Sequence, residues 1–157
     1  MFILSTLQLQ LEGIIENSTS SDKGPLLLTF LEPFNEFDRE ERCEILFRDI
    51  DPNNREHFGE LLKKEFFEEK GYKNISVPNK CLLSFALIEA LCNRDFNFKW
   101  LVQESNGTFG LPSIWDIENF RQLFEEIYRQ AYSAWKLELA GTGFTMPEPN
   151  ELGIRRR

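Results

Sequence analysis

The stretch that decides the fold is PSIWDIENFRQLFEEIYRQAYSAWKLELAG, running from Pro112 to Gly141. Ser113 followed by Asp116 reads as an N-cap with an acidic group at N3, and Gly141 falls where a left-handed C′ residue belongs. Between them Ile117, Phe120, Phe124, Ile127, Ala131 and Trp135 recur at three- and four-residue steps, so a helix would carry them on one face. The expectation is a long amphipathic helix over 113–140. Its other sides carry Trp115, Leu123, Tyr128 and Tyr132, and an apolar surplus of that kind marks a contact surface for a partner.

Working outward, helical patterns dominate. Val77-Pro78 is unfriendly to helix, but Asn79 can cap a helix over 80–92 that is apolar nearly all round, as the centre of a bundle would be. Asp38 with Glu41 opens a helix over 38–50, whose inner face is Cys43, Leu46, Phe47 and Ile50. Asp51-Pro52-Asn53-Asn54 breaks it, and a helix over 54–70 follows, with Phe58, Leu61, Leu62, Glu65 and Phe66 along one side and Gly71 as its stop. Residues 3–15 suit a helix through Leu4, Leu7, Leu11, Ile14 and Ile15, although Leu7, Leu9 and Leu11 also alternate as in a strand. Residues 16–24 read as a polar loop, and a short apolar segment from Leu26 to Leu31 ends at Pro33. In 96–103, Phe96, Phe98, Trp100 and Val102 alternate with other residues, and Asn106-Gly107 is a turn signal. A small hairpin over 96–111 competes there with one more short helix. The fold class expected is mainly α: a helical bundle of about five helices forming one domain over 1–141, with a flexible Gly- and Pro-containing tail over 142–157.

The chain has 157 residues, 15 of them Phe, so its core is filled by few, large side chains. Its net charge is −8, which opposes general binding to nucleic acid. Half of the 26 acidic residues fall between Glu32 and Lys70, against seven Lys and Arg there. Such a run is ordinarily a solvated helix surface, and it also suits a basic partner or imitation of the charge of DNA. Cys43, Cys81 and Cys92 sit in apolar helical contexts, so free thiols, a reducing compartment and a cytoplasmic location are expected. Neither a signal peptide nor an 18-residue apolar run is recognisable, and no membrane partner is expected.

The sharpest chemical pattern spans the junction of the 38–50 and 54–70 helices. Asp49, Asp51, Asn53 and Glu60 occupy positions 1, 3, 5 and 12 of a spacing that can wrap oxygen ligands around Ca²⁺, with a weaker echo at Asn93, Asp95, Asn97 and Glu104. In part these two loops resemble the EF-hand pattern. They depart from it at the sixth position, Asn54 and Phe98 in place of glycine, and by Pro52 and Glu56 in the first loop. Polar interhelix turns with capping groups are the stronger expectation, with no metal and no cofactor held.

Elsewhere the chemistry is sparse. His57 is the single histidine, with no Ser or Cys nucleophile near it, and reads as a first-turn surface residue. No glycine-rich phosphate loop occurs. Glu125-Glu126 and Glu68-Glu69 are expected on exposed faces, with Glu125 paired to Arg129. Phe96 to Trp100 interleaves aromatics with Lys99 in the manner of a stacking platform for single-stranded nucleic acid, against the acidic balance. In the tail, Phe144, Met146, Leu152 and Ile154 with Arg155, Arg156 and Arg157 could dock in a partner's groove or fold back on the acidic 32–70 region. Together these features predict a non-enzymatic, cytoplasmic protein-binding module, an adaptor, regulator or inhibitor. Its partner would be another protein, of basic character, and self-association through the long helix stays open. The alternatives are an enzyme with a carboxylate-based site, a weak calcium-binding helix-loop-helix protein, and an acidic DNA-mimic inhibitor.

Overall fold

The computed structural model describes residues 2–14, 24–105 and 109–155. Among them lie eight α-helices and no strand: α1 (Phe2–Ile14), α2 (Gly24–Leu27), α3 (Glu40–Phe47), α4 (Arg55–Leu62), α5 (Lys70–Lys73), α6 (Val77–Cys92), α7 (Phe98–Gln103) and α8 (Phe120–Ala140). Three further helical pieces accompany them: 3-10 turns at Leu28–Phe34 and Pro149–Leu152, and a π segment at Lys63–Phe67. The chain is therefore mainly α, with more and shorter helices than the five expected.

Helix α6 is the centre. It packs against α8 on one side and against α1 and α2 on others, while α4 and α7 complete the contacts of α8. Its sequence is apolar nearly all round because it meets neighbours nearly all round. Ser76, not Asn79, caps it by accepting from the Asn79 amide, and Pro78 lies in the first turn. A proline there lacks only an N–H that would have had no partner in the helix, so Val77-Pro78 starts this helix instead of preventing it.

In α1, Leu7 and Leu11 are buried while Leu9 is 71% exposed. The four-residue step wins over the alternation, as helix geometry requires. In the 54–70 region Asn54 caps α4, and the regular helix ends at Leu62. The π turn that follows is wider, so each residue advances by a smaller angle. Phe66 and Phe67 thereby both reach an aromatic cluster with Phe30, Tyr72 and Trp135. Gly71 does not stop a helix but lies within α5.

The largest departure concerns the deciding stretch. Helix α8 begins at Phe120, capped by the Asn119 side chain on the Gln122 amide, and 113–119 is irregular. The Trp115 amide makes a local turn onto the Pro112 carbonyl, and the Ser113 and Glu118 amides and the Asp116 carbonyl bond to distant side chains. The Ser113 amide and hydroxyl donate to Glu36 Oε2 at 2.9 and 3.3 Å, and the Glu118 amide donates to Asn53 Oδ1 at 2.8 Å. Ser113 and Asp116 are therefore not a helix cap. At the other end Gly141 keeps a right-handed conformation (φ −60°), and the left-handed residue is Gly143 (φ 93°), after which the Phe144 amide closes onto the Leu139 carbonyl.

The hairpin expected over 96–111 is absent where it can be judged. Residues 98–103 form α7, capped by Asn97, 109–112 run without regular structure, and the Asn106-Gly107 turn lies outside the described residues. Phe98 stacks on Phe124 at 4.7 Å, which fixes α7 against α8.

Residues 142–155 are not a free tail. Phe144, Met146 and Ile154 are buried, and the buried Tyr128 hydroxyl donates to the Pro147 carbonyl. The Thr145 amide reaches Gln10 of α1 at 3.0 Å. The bonds and contacts of the segment run to α8, α6 and α1 and, among the described residues, not to the acidic 32–70 region.

Candidate functional site

Helix α3 is attached to the bundle by little of its surface. Of its eight residues only Cys43 and Phe47 are buried. Ile45 and Leu46 stand 67% and 55% exposed, with Phe37 at 49% just before the helix and Ile114 at 44% in the irregular segment. Around them lie the exposed acids Asp38, Glu40, Glu41 and Glu44.

These residues are brought together by bonds that cross the sequence. The Trp115 indole N–H donates to the Phe47 carbonyl at 3.3 Å, and its ring packs between Phe34, Phe47 and Phe58. The Glu36 amide donates to the Gly110 carbonyl at 2.7 Å, and the Gly110 amide to Asn35 Oδ1 at 3.0 Å. Phe37 and Ile114 thus each neighbour a residue of the same Glu36–Ser113 bond. The Arg39 guanidinium donates to the carbonyls of Glu32 and Asn35. That arginine faces the preceding turn, and Arg42 and Arg48 are exposed beside the four acids, so the excess of negative charge on α3 is modest. Asp38 holds a positive φ of 61°, a conformation that costs a non-glycine residue about 1 kcal/mol and that clusters at functional sites.

The structure relocates most residues that the sequence marks. Trp115, Leu123, Tyr128 and Phe144 are buried at 8% exposure or less, so they are core and not an outward contact face. Trp115 lies before α8 and packs into the Phe34–Phe47–Phe58 cluster, while the returning 142–155 segment covers Tyr128 through the Pro147 carbonyl. Burial pushes the Tyr128 hydroxyl far above its ordinary pKa, with Tyr132 and Glu151 nearby acting in the same direction. Tyr132 is half-buried and Arg155 exposed, whereas Arg156 and Arg157 lie outside the described residues. Leu46, placed by periodicity on the inner face of its helix, points outward. Glu126 is buried, not exposed; it pairs with Arg129 at 3.7 Å, and Glu125 pairs with Arg55 at 3.8 Å instead of with Arg129. Cys43 and Cys81 are buried free thiols whose pKa burial raises; Cys92, also free, is exposed.

In the loop that partly matches a calcium loop, Asp51 and Asn53 use their oxygens on the protein itself, while Asp49 and Glu60 are exposed. Asp51 Oδ1 accepts from the Asn53 amide, while Asn53 donates through Nδ2 to the Asp116 carbonyl at 2.6 Å and accepts from Glu118 through Oδ1. Asn54 caps α4 through the amides of Glu56 and His57. In the second loop Asn93 and Asn97 serve as local caps in the same way. Among the described residues no group of three or more His, Cys, Asp or Glu is gathered as a metal site would need. His57 is exposed in the first turn of α4. Phe98 is buried against Phe124 and beneath Arg121, so Phe96, Phe98 and Trp100 do not share one open stacking face.

Compared with known proteins, the chain matches no family model, no curated protein and no solved structure. No helix among the described residues is long and apolar enough to cross a membrane.

Asn53 holds the 116–118 segment against α3 and α4 with two side-chain hydrogen bonds. Replacing it with alanine removes both, and each bond is worth about 0.5–1.5 kcal/mol net. Asn53→Ala is expected to lower unfolding free energy by about 1–3 kcal/mol in urea titrations, and to quicken exchange of the Glu118 amide. An unchanged exchange rate at Glu118 would show that the clasp is not what orders the segment.

Proposed function

We propose that this chain is a protein-binding module whose α3 face receives a basic, amphipathic segment of another protein. The observation that carries the reading is the pair Ile45 and Leu46, exposed side by side on a helix whose remaining outer positions are mainly acidic. Apolar side chains supply the desolvated centre of an interface, and the surrounding carboxylates steer a partner of opposite charge and fix its orientation. Phe37 and Ile114 extend the apolar centre, and strain at Asp38 is consistent with a segment shaped for contact rather than stability.

The test starts from the intact protein as bait in extract of its source organism, at about 0.05 and about 0.5 M salt, where screening lengths differ severalfold. Any stoichiometric partner is then titrated against the wild type, Ile45→Ala with Leu46→Ala, and Glu41→Lys with Glu44→Lys. All four positions are exposed, so melting temperatures should barely move. The expected result is affinity reduced about tenfold or more by each double variant, since tenfold corresponds to only 1.4 kcal/mol. Salt dependence should be lost chiefly in the charge-reversed protein. Undiminished binding by both variants refutes this surface, and absence of any partner at either salt refutes the module.

A further inference from the structure

A cavity of about 280 Å³ lies between the outer side of α8 and the returning C-terminal segment. Its wall gathers three cations, Arg129 and Lys136 from α8 and Arg155 from the segment, against one carboxylate, Glu148. Arg129 and Lys136 are seven residues apart, two helical turns, so they stand on one side of the helix. That concentration of positive charge runs against a chain of net charge −8.

Arg129 is the informative member. Its side chain is only 14% exposed, and its nearest carboxylate oxygen, on Glu126, stands 3.7 Å from Nε. That is a charge contact and too long for a hydrogen bond. Among the described residues Nε and Nη2 are buried and find no hydrogen-bond partner. Burial, and the neighbouring Arg55, push its pKa below the usual arginine value. Nε and Nη2 are sealed from the cavity, so what Arg129 offers an entering anion is the charge of a largely desolvated guanidinium, which acts strongly where water is scarce.

The other groups are placed for the same ligand. Glu148 is held by its own turn: its amide donates to Glu151 Oε2 at 2.7 Å, and its carboxylate accepts from the Glu151 amide in return. Lys136 Nζ sits 4.7 Å from the centre of the Tyr132 ring, which holds the ammonium beside the cavity. Pro149 and the buried Ile154 complete an apolar wall with that ring. The lining side chains carry a formal +2, reduced by Glu126 behind Arg129 but still opposite in sign to a phosphate monoester, which carries roughly −1.5 to −2 at neutral pH. The volume exceeds what a bare phosphate fills and approaches the lower limit of about 300 Å³ for small-molecule sites.

We propose that this cleft binds a small phosphate monoester. Arg129, Lys136 and Arg155 meet the phosphate, and Tyr132 with Ile154 contacts the organic part. The site is separate from the α3 face, and its failure would leave the proposed function untouched.

The probes are ribose 5-phosphate, ribose and inorganic phosphate, titrated calorimetrically into the full chain at constant ionic strength. Wild type is compared with Lys136→Gln and Arg155→Gln, both surface changes whose folding is checked by thermal melting. Saturable binding of ribose 5-phosphate is expected, tighter than inorganic phosphate, with ribose silent and each variant weakened about tenfold or more. Affinity equal for the ester and inorganic phosphate overturns the part given to the apolar wall. The site itself is overturned by no saturable heat with either anion, or by binding that both variants retain in full.

Discussion

Trp115→Ala is expected to lower unfolding free energy by about 3–5 kcal/mol, the usual cost of deleting a large buried aromatic side chain. The change does more than open a cavity. The ring fills the space between Phe34, Phe47 and Phe58, and its N–H is the bond that joins the irregular segment to the end of α3. Removing it leaves the Phe47 carbonyl without that donor in a buried setting. A melting temperature lower by roughly 10 °C follows from the size of the domain. Trp115→Phe separates the two contributions in part, since it keeps an aromatic ring in the cluster while losing the N–H and some of the indole's volume. A loss below 1 kcal/mol for the alanine variant would mean that the 109–118 segment contributes little to the fold.

Cutting the chain after Gly141 is expected to have the larger effect. Phe144, Met146 and Ile154 are all buried, and each such side chain contributes about 1.5–3 kcal/mol. Together they amount to about 5–9 kcal/mol, a large part of the 5–15 kcal/mol that holds a typical domain. Tyr128 would also lose its buried acceptor, the Pro147 carbonyl. The truncated chain should show weakened cooperativity in urea and greater hydrogen exchange along α8. A truncation that melts within a few degrees of the full chain would show the segment to be an accessory covering. The prediction also governs how binding experiments are read, because a partner lost on truncation is first evidence of unfolding.

Much of the fold is legible in the sequence because local periodicity survives tertiary packing. Leu7 with Leu11, Phe58 with Leu62, and the nearly continuous apolar run of α6 all lie where their spacing puts them. What periodicity misses is competition from distant groups. Ser113 and Asp116 form a sound local cap, yet Glu36 and Asn53, far away in sequence, take the bonds that a helix there would need. Gly141 and Gly143 are two residues apart, and only the path of the following chain decides which turns left-handed. The π turn at Lys63–Phe67 has no local signature; it exists because Phe66 and Phe67 both gain aromatic neighbours. At the candidate surface the acidic run is plain in the sequence, but the apolar centre is not. Ile45 lies off the Cys43–Phe47 face and was available as a signal. Leu46 lies beside that face, and its exposure depends on how narrowly α3 is attached.

The bonds that hold the irregular segment to the region around α3 join residues 63 to 77 positions apart. A chain emerging from the ribosome therefore displays α3 long before the segment that anchors it exists. At typical synthesis speeds of about 5–20 residues per second, the interval lasts several seconds. During it Phe47 and Phe58 lack Trp115, and the acidic helix hangs on an incomplete core. If the proposed surface is the binding face, an N-terminal fragment ending before Trp115 is expected to bind the partner more weakly than the whole chain, and equal affinity would show that α3 needs no anchor from the later segment.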